Sequence, residues 1–342
     1  MIESTSSPKK KKTKKSRVVG KSQDDSGLEQ RIRPSSLDEM IGRKTEKETL
    51  KMMIDSAKKR KEVIDHILFY GPPGLGKTTF AMAIANEIGA SIKITSGPAV
   101  ERQGDLAAIL TGLKRNDVLF IDEIHRLSKV VEEILYPAME DGVLDIIMGK
   151  GPSAKTIRLT LEPFTLIGAT TQVGRISSPM RERFGLVQRL EFFSQDDLVS
   201  ILDRASKLWN IKVGEDALKM LADSSRGTAR IGLRLLRRTR DYADSKGNKE
   251  VTPDIVSKTM VLLGVDDRGL EKIDRTILKT MLDNFSGGPV GLSTLAASVS
   301  EDEATLTDVY EPFLMKCGFI KRTSRGRVLT VKGLKYLESI NG

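Results

Sequence analysis

The sequence has very few of the residues that build disulfide frameworks and transition-metal sites. It contains one cysteine, Cys317, and two histidines among 342 residues. A single cysteine cannot form an internal disulfide or a thiolate zinc cluster, so we expect the protein to work in a reducing compartment. Two histidines supply too few imidazole ligands for a typical metalloenzyme, which argues against a protein-held transition metal.

Long apolar segments are also missing. The chain has no apolar run of 18 or more residues, and no apolar stretch of signal-peptide type follows its N-terminal lysines. We therefore expect neither a membrane span nor a secretory signal. The composition is 39% hydrophobic and 30% charged, which is typical of a soluble globular protein. At about 150 residues per domain, the length predicts two or three domains.

Positive charge is concentrated at the N-terminus. Residues 1–17 carry six lysines and one arginine against Glu3, so they hold +6 of the chain's net charge of +10. A lysine-rich segment of this kind has nothing to bury, and we expect residues 1–28 to be a disordered basic tail. Such a tail either keeps a protein soluble or binds polyanions non-specifically, and the sequence leaves both readings open.

The next part of the chain alternates short apolar runs with stretches of helical periodicity. Continuous apolar strands separated by helices indicate a parallel sheet covered on both faces, hence an α/β core over residues 29–193. An alternating pattern around a Gly-rich centre predicts a β-hairpin at about 143–161, inserted before the last strand. The predicted strands lie at 65–70, 91–95, 118–121 and 164–168, and the predicted helices at 45–61, 79–88, 106–113 and 129–139.

The pattern changes twice after the sheet. From about residue 195 strands vanish and helices dominate, which predicts a helical domain over 194–264. In the last segment, 265–342, three helical stretches precede two short strands around a basic turn. Three helices followed by such a strand pair are typical of a winged helix.

The stretch Gly71-Pro-Pro-Gly-Leu-Gly-Lys-Thr78 fits the P-loop pattern and lies between a predicted strand and a predicted helix. Small residues such as Gly74 and Gly76 let backbone N–H groups close around phosphates, and the helix N-terminus adds partial positive charge. In this arrangement Lys77 reaches the β- and γ-phosphates and the Thr78 hydroxyl ligates Mg²⁺. The alternative is a Gly-rich turn that binds nothing.

A second motif supports the P-loop. Asp122 and Glu123 follow the apolar run 118–121, so Asp122 is placed at a strand end where it could hold the Mg²⁺ shell. Glu123 is then a candidate general base for the attacking water. The next predicted strand ends in Thr170-Thr171, whose hydroxyls are expected in the same crevice, although strand-end threonines often make only ordinary hydrogen bonds.

Arginines and a basic turn complete the set of candidates. Arg183 and Arg230 could neutralise phosphoryl charge in a transition state, although each taken alone would be read as surface charge. From 316 to 335 the chain has seven Lys or Arg residues and no acid, which suits contact with a nucleic-acid backbone. Gly326 would let the turn approach a groove closely.

From about Arg33 to its end, the chain resembles the RuvB family of AAA+ ATPases. The resemblance rests on the P-loop and on the stretches GDLAAIL, VLFIDEIHRLS, EEILYPAMEDG, FTLIGATT, RFGLVQRLEF, RLLRR and GGPVGL. It implies an AAA+ core, a helical lid and a C-terminal winged helix, assembled as a homohexameric ring on duplex DNA. The implied activity is ATP-driven branch migration of four-way Holliday junctions in recombination and repair.

The resemblance also implies ligands, partners and a location. ATP and Mg²⁺ are the expected ligands, and a RuvA-type junction-binding protein should contact the hairpin. A RuvC-type resolvase would join a larger complex, in the bacterial cytoplasm and at the nucleoid when active.

Site residues carry over by motif. Lys77, Thr78, Asp122 and Glu123 keep the roles given above, with Gly74, Gly76 and Thr79 in the nucleotide cradle. The resemblance makes Thr171 the γ-phosphate sensor, Arg183 the arginine finger offered to the neighbouring subunit, and Arg230 the lid arginine. The remaining implied contacts are Ile32, Arg33 and Phe193 on the adenine side, Glu140 and Asp141 at the subunit interface, and Arg322 and Arg327 on DNA.

The chain departs from the family pattern at two positions in these motifs. Gln172 replaces the arginine usual after the two threonines, and Phe193 stands where tyrosine is usual; the lysine tail is a further difference. Two other functions remain open at this point. One is a clamp-loader-type AAA+ switch, a class that lacks the wing domain, and the other is a non-hydrolysing DNA-binding regulator, against which Glu123 and Arg183 argue.

Overall fold

The computed structural model describes residues 32–148 and 155–341. The basic tail predicted at 1–28 and the central part of the predicted hairpin, 149–154, lie outside the described residues. Seven strands belong to the first part of the chain: β1 (Ile67–Tyr70), β2 (Ile92–Ser96), β3 (Val118–Asp122), β4 (Val143–Met148), β5 (Lys155–Thr160), β6 (Thr165–Thr170) and β7 (Leu186–Arg189).

Five of these strands form one parallel sheet in the order β2-β3-β6-β1-β7. The four predicted strands are confirmed, and β6 is buried along its whole length. Strand β7 was not predicted, because it is a short edge strand whose side chains alternate between half-buried and exposed and so leave no apolar run. Strands β4 and β5 pair separately as the predicted antiparallel hairpin.

Apolar side chains cover both faces of the sheet. In β1, Ile67 and Phe69 pack into one core while Leu68 packs into the other, as the two-residue period of a strand requires. The helix after the P-loop begins at Lys77, two residues before its predicted start, because the loop runs directly into it. The helices of this part are α1 (Lys44–Arg60), α2 (Lys77–Ile88), α3 (Gln103–Thr111), α4 (Lys129–Glu140) and α5 (Ser178–Glu182).

The middle part is helical around its own apolar core. The prediction that strands vanish there is wrong in one detail, because β8 (Lys212–Val213) and β9 (Glu250–Val251) pair in parallel. Two residues are too short for a periodicity to be detected. The helices are α6 (Gln195–Leu208), α7 (Glu215–Asp223), α8 (Ala229–Ser245) and α9 (Pro253–Leu263).

The last part is a winged helix with a fourth core. Its third predicted helix is divided by a π-helical turn at Leu306–Tyr310, and a helix that was not predicted follows the wing. The elements are α10 (Lys272–Phe285), α11 (Leu292–Val299), α12 (Glu303–Thr305), α13 (Glu311–Lys316), β10 (Ile320–Thr323), β11 (Gly326–Leu329) and α14 (Val331–Asn341).

A buried ion pair joins the winged helix to the helical part. Arg226, in the turn before α8, is paired with Asp274 on α10 and donates through Nε to the carbonyl of Gly269 at 2.8 Å. Its guanidinium also lies 4.7 Å from the ring centre of Phe313 on α13. The winged helix is therefore packed firmly against the turn that leads into α8. Within the described ranges, no helix is both long and apolar enough to cross a membrane.

Candidate nucleotide and DNA sites

The P-loop holds the Lys77 amine inside a backbone cradle. Lys77 is 8% exposed, and its Nζ donates hydrogen bonds to the carbonyls of Gly71 at 2.8 Å and Pro72 at 2.9 Å. Burial lowers the pKa of Lys77 to about 8, against the opposing charge of Asp122. Within the described residues this amine has no ion pair. A buried ammonium group that is hydrogen-bonded only to carbonyls can still bind an anion. These residues therefore fit the phosphates of a nucleotide.

Arg230, in the first turn of α8, lies beside this cradle. A Cβ atom built on Gly74 would lie 3.0 Å from the Cβ of Arg230 and 3.3 Å from that of Thr228. Gly74 also has a φ of 81°, so glycine is required there both by conformation and by space. The positive charge of Arg230 disfavours the charged form of Lys77, as expected for two cations that lie close together.

The carboxyl end of β3 places Asp122 and Glu123 at the same site. Both carboxylates favour the charged form of Lys77. Asp122 Oδ1 accepts the N–H of Glu123 at 2.9 Å, which fixes the first carboxylate. Glu123 has a φ of 51°, an uncommon left-handed conformation for a side chain of this size. Its carboxylate, 42% exposed, is only loosely paired with Arg126 at 3.7 Å, so it is accessible to water.

The two threonines after β6 have different environments. Thr170 is 1% exposed, and its hydroxyl bonds His125 Nδ1 and accepts the N–H of Gln172, each at 2.9 Å. Thr171 is half-buried, and its hydroxyl makes no hydrogen bond within the described part of the chain. Thr171 is therefore the hydroxyl left available for a ligand, while Thr170 builds the strand end.

The residues assigned to the adenine side meet where the core joins the lid. Ile32 and Phe193 both pack against the lid core, and the Phe193 N–H donates to the carbonyl of Gly227 at 2.9 Å. The Arg43 guanidinium lies 4.4 Å from the Phe193 ring centre. Arg33 is exposed and lies outside this core, with its Nη1 3.5 Å from the sulfur of Met82.

Arg183 and Glu140 lie together, and within the described residues no recorded contact of Arg183 is with the P-loop. Arg183 Nη2 is 2.8 Å from the Glu140 carboxylate, and its Nη1 donates to the carbonyl of Pro179 at 2.7 Å. The guanidinium lies 4.7 Å from the ring centre of Tyr136. Asp141 follows directly at the C-terminal cap of α4. The pairing of Glu140 with Arg183 was not predicted.

The wing arginines have a partner that was not predicted. Arg322 and Arg327 face each other across β10 and β11, and both bind the carboxylate of Glu311, which is fully buried. Lys316 was counted with the basic patch, but its Nζ lies 4.4 Å from the ring centre of Phe192 in the core. Gly326 has a φ of 134°, and a Cβ atom built on it would lie 2.3 Å from the Val290 carbonyl oxygen. Packing within the protein therefore accounts for this glycine.

Comparison with known proteins gives matches along the whole described chain. Residues 32–190 match the family model "Holliday junction DNA helicase RuvB P-loop domain", residues 193–266 the RuvB AAA lid domain, and residues 267–338 the RuvB C-terminal winged helix domain. The Holliday junction branch migration complex subunit RuvB of Fusobacterium nucleatum is 53% identical over 313 residues, 92% of this chain and 94% of that protein. The chain belongs to the RuvB family.

Solved structures agree with this assignment. Thermotoga maritima RuvB, described as a Holliday junction branch migration motor, superposes with a TM-score of 0.82 at 48% identity, covering 90% of this chain and 98% of that one. A variant of the same protein reaches a TM-score of 0.84 with the same coverage. The RuvB family comprises AAA+ ATPases that are the motors of Holliday junction branch migration, and this protein is an ATPase of that class. The predicted fold of P-loop core, lid and winged helix is confirmed.

Several residues of the site were missed from the sequence. His125 bonds the Thr170 hydroxyl, Tyr136 lies against Arg183, and Arg43 lies against Phe193. His125 and Tyr136 lay within the quoted stretches but were given no role, and Arg43 lay outside them. Glu311 lies 11 and 16 residues before the two arginines it binds. No local pattern connects positions at such separations, so only the folded chain identifies Glu311.

Proposed function

We propose that this protein is an ATP-hydrolysing homohexameric motor that moves duplex DNA through four-way junctions and so drives branch migration. Its family membership supports the activity, and the arrangement of its site residues supports the individual roles. The observation that carries the proposal is the convergence of Lys77, Asp122, Glu123 and Arg230 on one cradle. A non-hydrolysing regulator with a vestigial P-loop would not require a water-accessible Glu123 beside an intact cradle. A clamp-loader-type switch would lack the winged helix that follows the lid.

ATP and Mg²⁺ would be held by groups from both sides of this cradle. The P-loop backbone at Gly74 and Gly76, with Thr79 beside it, would surround the phosphates, and Lys77 would bind their charge. Thr78 would ligate Mg²⁺ directly and Asp122 through water. The ion supplies charge neutralisation on the phosphates when bound. Ile32, Arg33 and Phe193 would contact the base side, and Arg230 would bring the lid to the nucleotide.

Hydrolysis would use one acid from the same subunit and one arginine from the next. Glu123 accepts the proton of the attacking water, and its loose pairing with Arg126 leaves it free to do so. Thr171 senses the γ-phosphate. Arg183 completes the neighbouring subunit's site, and Glu140 and Asp141 form the acidic edge of that interface. Glu140 is exposed and Arg183 half-buried, so the ion pair itself contributes little, about 0–1 kcal/mol for a surface pair, and the arginine would also have to leave the Pro179 carbonyl and the Tyr136 ring.

The winged helix would hold the duplex through Arg322 and Arg327. A RuvA-type protein would dock on the β4–β5 hairpin, and a RuvC-type resolvase would join the assembly in the bacterial cytoplasm, at the nucleoid during repair. The lysine tail adds net positive charge for non-specific contact with polyanions.

The test is ATP-dependent dissociation of a synthetic four-way junction, with and without a RuvA-type partner. We expect Glu123→Gln to retain ATP binding and to lose at least 100-fold in turnover and junction dissociation, on the general-base scale of about 10²–10⁴. Glu48→Gln, on the solvent side of α1 with a side chain 65% exposed, is the matched control and should behave as wild type. Junction dissociation by Glu123→Gln at the wild-type rate would exclude the proposed mechanism.

A further inference from the structure

Among the described residues, Glu311 is the one fully buried carboxylate that contacts the wing. It accepts hydrogen bonds from Nε of Arg322 at 2.8 Å and from Nη2 of the same residue, and from Nε of Arg327. Arg327 Nη2 adds a longer bond at 3.4 Å. The side chains of Arg322 and Arg327 are 46% and 15% exposed, while that of Glu311 is 0% exposed. One hidden acid therefore fixes two guanidiniums that reach the surface.

The hydrogen bonds leave one edge of each guanidinium unused. Glu311 takes the Nε and Nη2 groups, and the Nη1 groups of both arginines make no hydrogen bond within the described residues. A guanidinium group that is hydrogen-bonded to a carboxylate along one edge can donate from its other edge to phosphate oxygens. Such contacts set the register and orientation of a duplex on a protein.

The carboxylate also makes the arginine pair possible. Arg322 and Arg327 are directly opposed in the antiparallel register of β10 and β11, and like charges in that position destabilise a strand pair. Glu311 offsets the repulsion and leaves the cluster with a net charge of +1. Replacing a buried Arg–Glu–Arg group by apolar residues of similar volume often leaves a protein equally or more stable. Stability alone therefore does not explain the presence of Glu311 between the two arginines.

The helix that carries Glu311 and the strand that carries Arg327 are each held by contacts with other segments. Phe313 and Lys316 of α13 pack against Arg226 and Phe192 outside the winged helix. Arg327 exchanges backbone hydrogen bonds with Val290, at 2.8 Å and 2.9 Å, which ties β11 to the segment before α11. Glu311 and Arg327 therefore both lie on anchored segments.

We propose that Glu311 is a positioning residue for DNA, which orients Arg322 and Arg327 so that their free edges bind the phosphates of one duplex. This inference rests on the proposed DNA contact of the two arginines. For the effect of removing Glu311 on DNA affinity, it predicts the opposite of what net charge alone predicts. Removing an acid from a DNA-binding surface should tighten binding if only charge matters, whereas losing the orientation of two arginines should weaken it.

The experiment measures duplex affinity by fluorescence anisotropy across a salt series, together with ATP hydrolysed per junction dissociated. For Glu311→Gln in the full-length protein we expect affinity to fall about tenfold at physiological salt, with a salt slope shallower by about 1–2 because one or two phosphate contacts are lost. ATP consumed per junction should rise. The control is Glu338→Gln, an exposed acid on α14, which removes the same charge and should not weaken binding.

A double-mutant cycle separates positioning from a general loss of structure. Arg322→Gln/Arg327→Gln should bind DNA weakly, and it leaves Glu311 as a buried carboxylate without a cation, a cost that adding Glu311→Gln removes. If Glu311 acts through the arginines, adding Glu311→Gln to that variant should cause no further loss, whereas a merely unfolded wing gives an additional loss. Wild-type affinity in the arginine variant would overturn the proposed DNA role of the wing. Loss in that variant, but wild-type or tighter binding by Glu311→Gln, would overturn the positioning role alone.

Discussion

Lys77 is subject to two opposing effects in this fold. Burial in the P-loop disfavours its charge and lowers its pKa to about 8, while Asp122 and Glu123 favour the charge. The carbonyls of Gly71 and Pro72 hold the amine in place. In the protein without nucleotide, Lys77 therefore begins to lose its proton only slightly above neutral pH.

The lowered pKa of Lys77 should make ATP binding depend on pH. Phosphates favour the charged amine, so nucleotide binding raises the pKa of Lys77 and takes up a proton above pH 8. Affinity should therefore fall as pH rises through about 8, by up to about tenfold per pH unit until the pKa of the bound state is reached. Calorimetric titration from pH 7 to pH 9.5, in buffers of different ionisation enthalpy, measures both affinity and proton uptake.

Lys77→Arg is the control for this prediction, because arginine stays charged throughout the range. Its ATP affinity, whatever its absolute value, should be nearly independent of pH between 8 and 9.5. An equally flat profile in the wild-type protein would contradict the assigned pKa.

At the scale of elements, the junction between the turn before α8 and α10 depends on one buried pair. Arg226 is 6% exposed and Asp274 is fully buried, and Oδ1 of that carboxylate has no hydrogen-bond partner in the described part of the chain. Burial raises the pKa of Asp274 although Arg226 opposes the shift. The attraction of Arg226 therefore offsets only part of the cost of removing the Asp274 carboxylate from water. The pair is nevertheless costly to break, because removing either residue would leave the other as a buried charge.

We expect Asp274→Ala to destabilise this junction by up to about 3–5 kcal/mol, because the buried guanidinium would keep only the more distant Glu271 carboxylate, 3.7 Å away, as a charged partner. The measurement is native-state hydrogen exchange of backbone amides in residues 224–228 and 269–274, which reports the opening free energy locally. Asp267→Ala removes an exposed acid close by and should change that free energy by less than about 0.5 kcal/mol. Equal protection in both variants would show that the pair does not hold the junction.

At the scale of the whole molecule, the proposed hydrolytic site is completed only by a neighbouring subunit. Arg183 is engaged by Glu140 and Tyr136, and none of its contacts in the described structure is with a P-loop residue. The proposed ring would bring it to the nucleotide of the next subunit. Catalysis then depends on a property that no single subunit has.

Mixing two inactive variants tests this dependence. Arg183→Ala and Lys77→Ala proteins should each lack ATPase activity, while randomly mixed rings should have an intact Lys77 facing an intact Arg183 at about one interface in four. Activity should reappear on mixing in proportion to those interfaces. Native mass spectrometry establishes that mixed rings form, and mixed rings without any recovered ATPase activity would disprove the action in trans.

Much of the fold and of the nucleotide site was predictable because the signals are local. The P-loop, the apolar run ending in Asp122-Glu123 and the basic turn at 318–330 each specify a structure within a few residues. Strands β7, β8 and β9 escaped prediction because they are too short or too mixed in polarity to show a period. Their pairing is decided by the strands beside them, not by their own composition.

By itself, the sequence determined which residue types stand at the strand ends, at the helix N-terminus and on the wing, since backbone geometry and phosphate chemistry require them there. Only the tertiary structure decided what those residues touch. Arg183 meets Glu140, Arg230 approaches Gly74, and Glu311 lies between two arginines because distant segments pack together. Contacts of this kind depend on the distances set by burial of the apolar cores, which no spacing along the chain encodes.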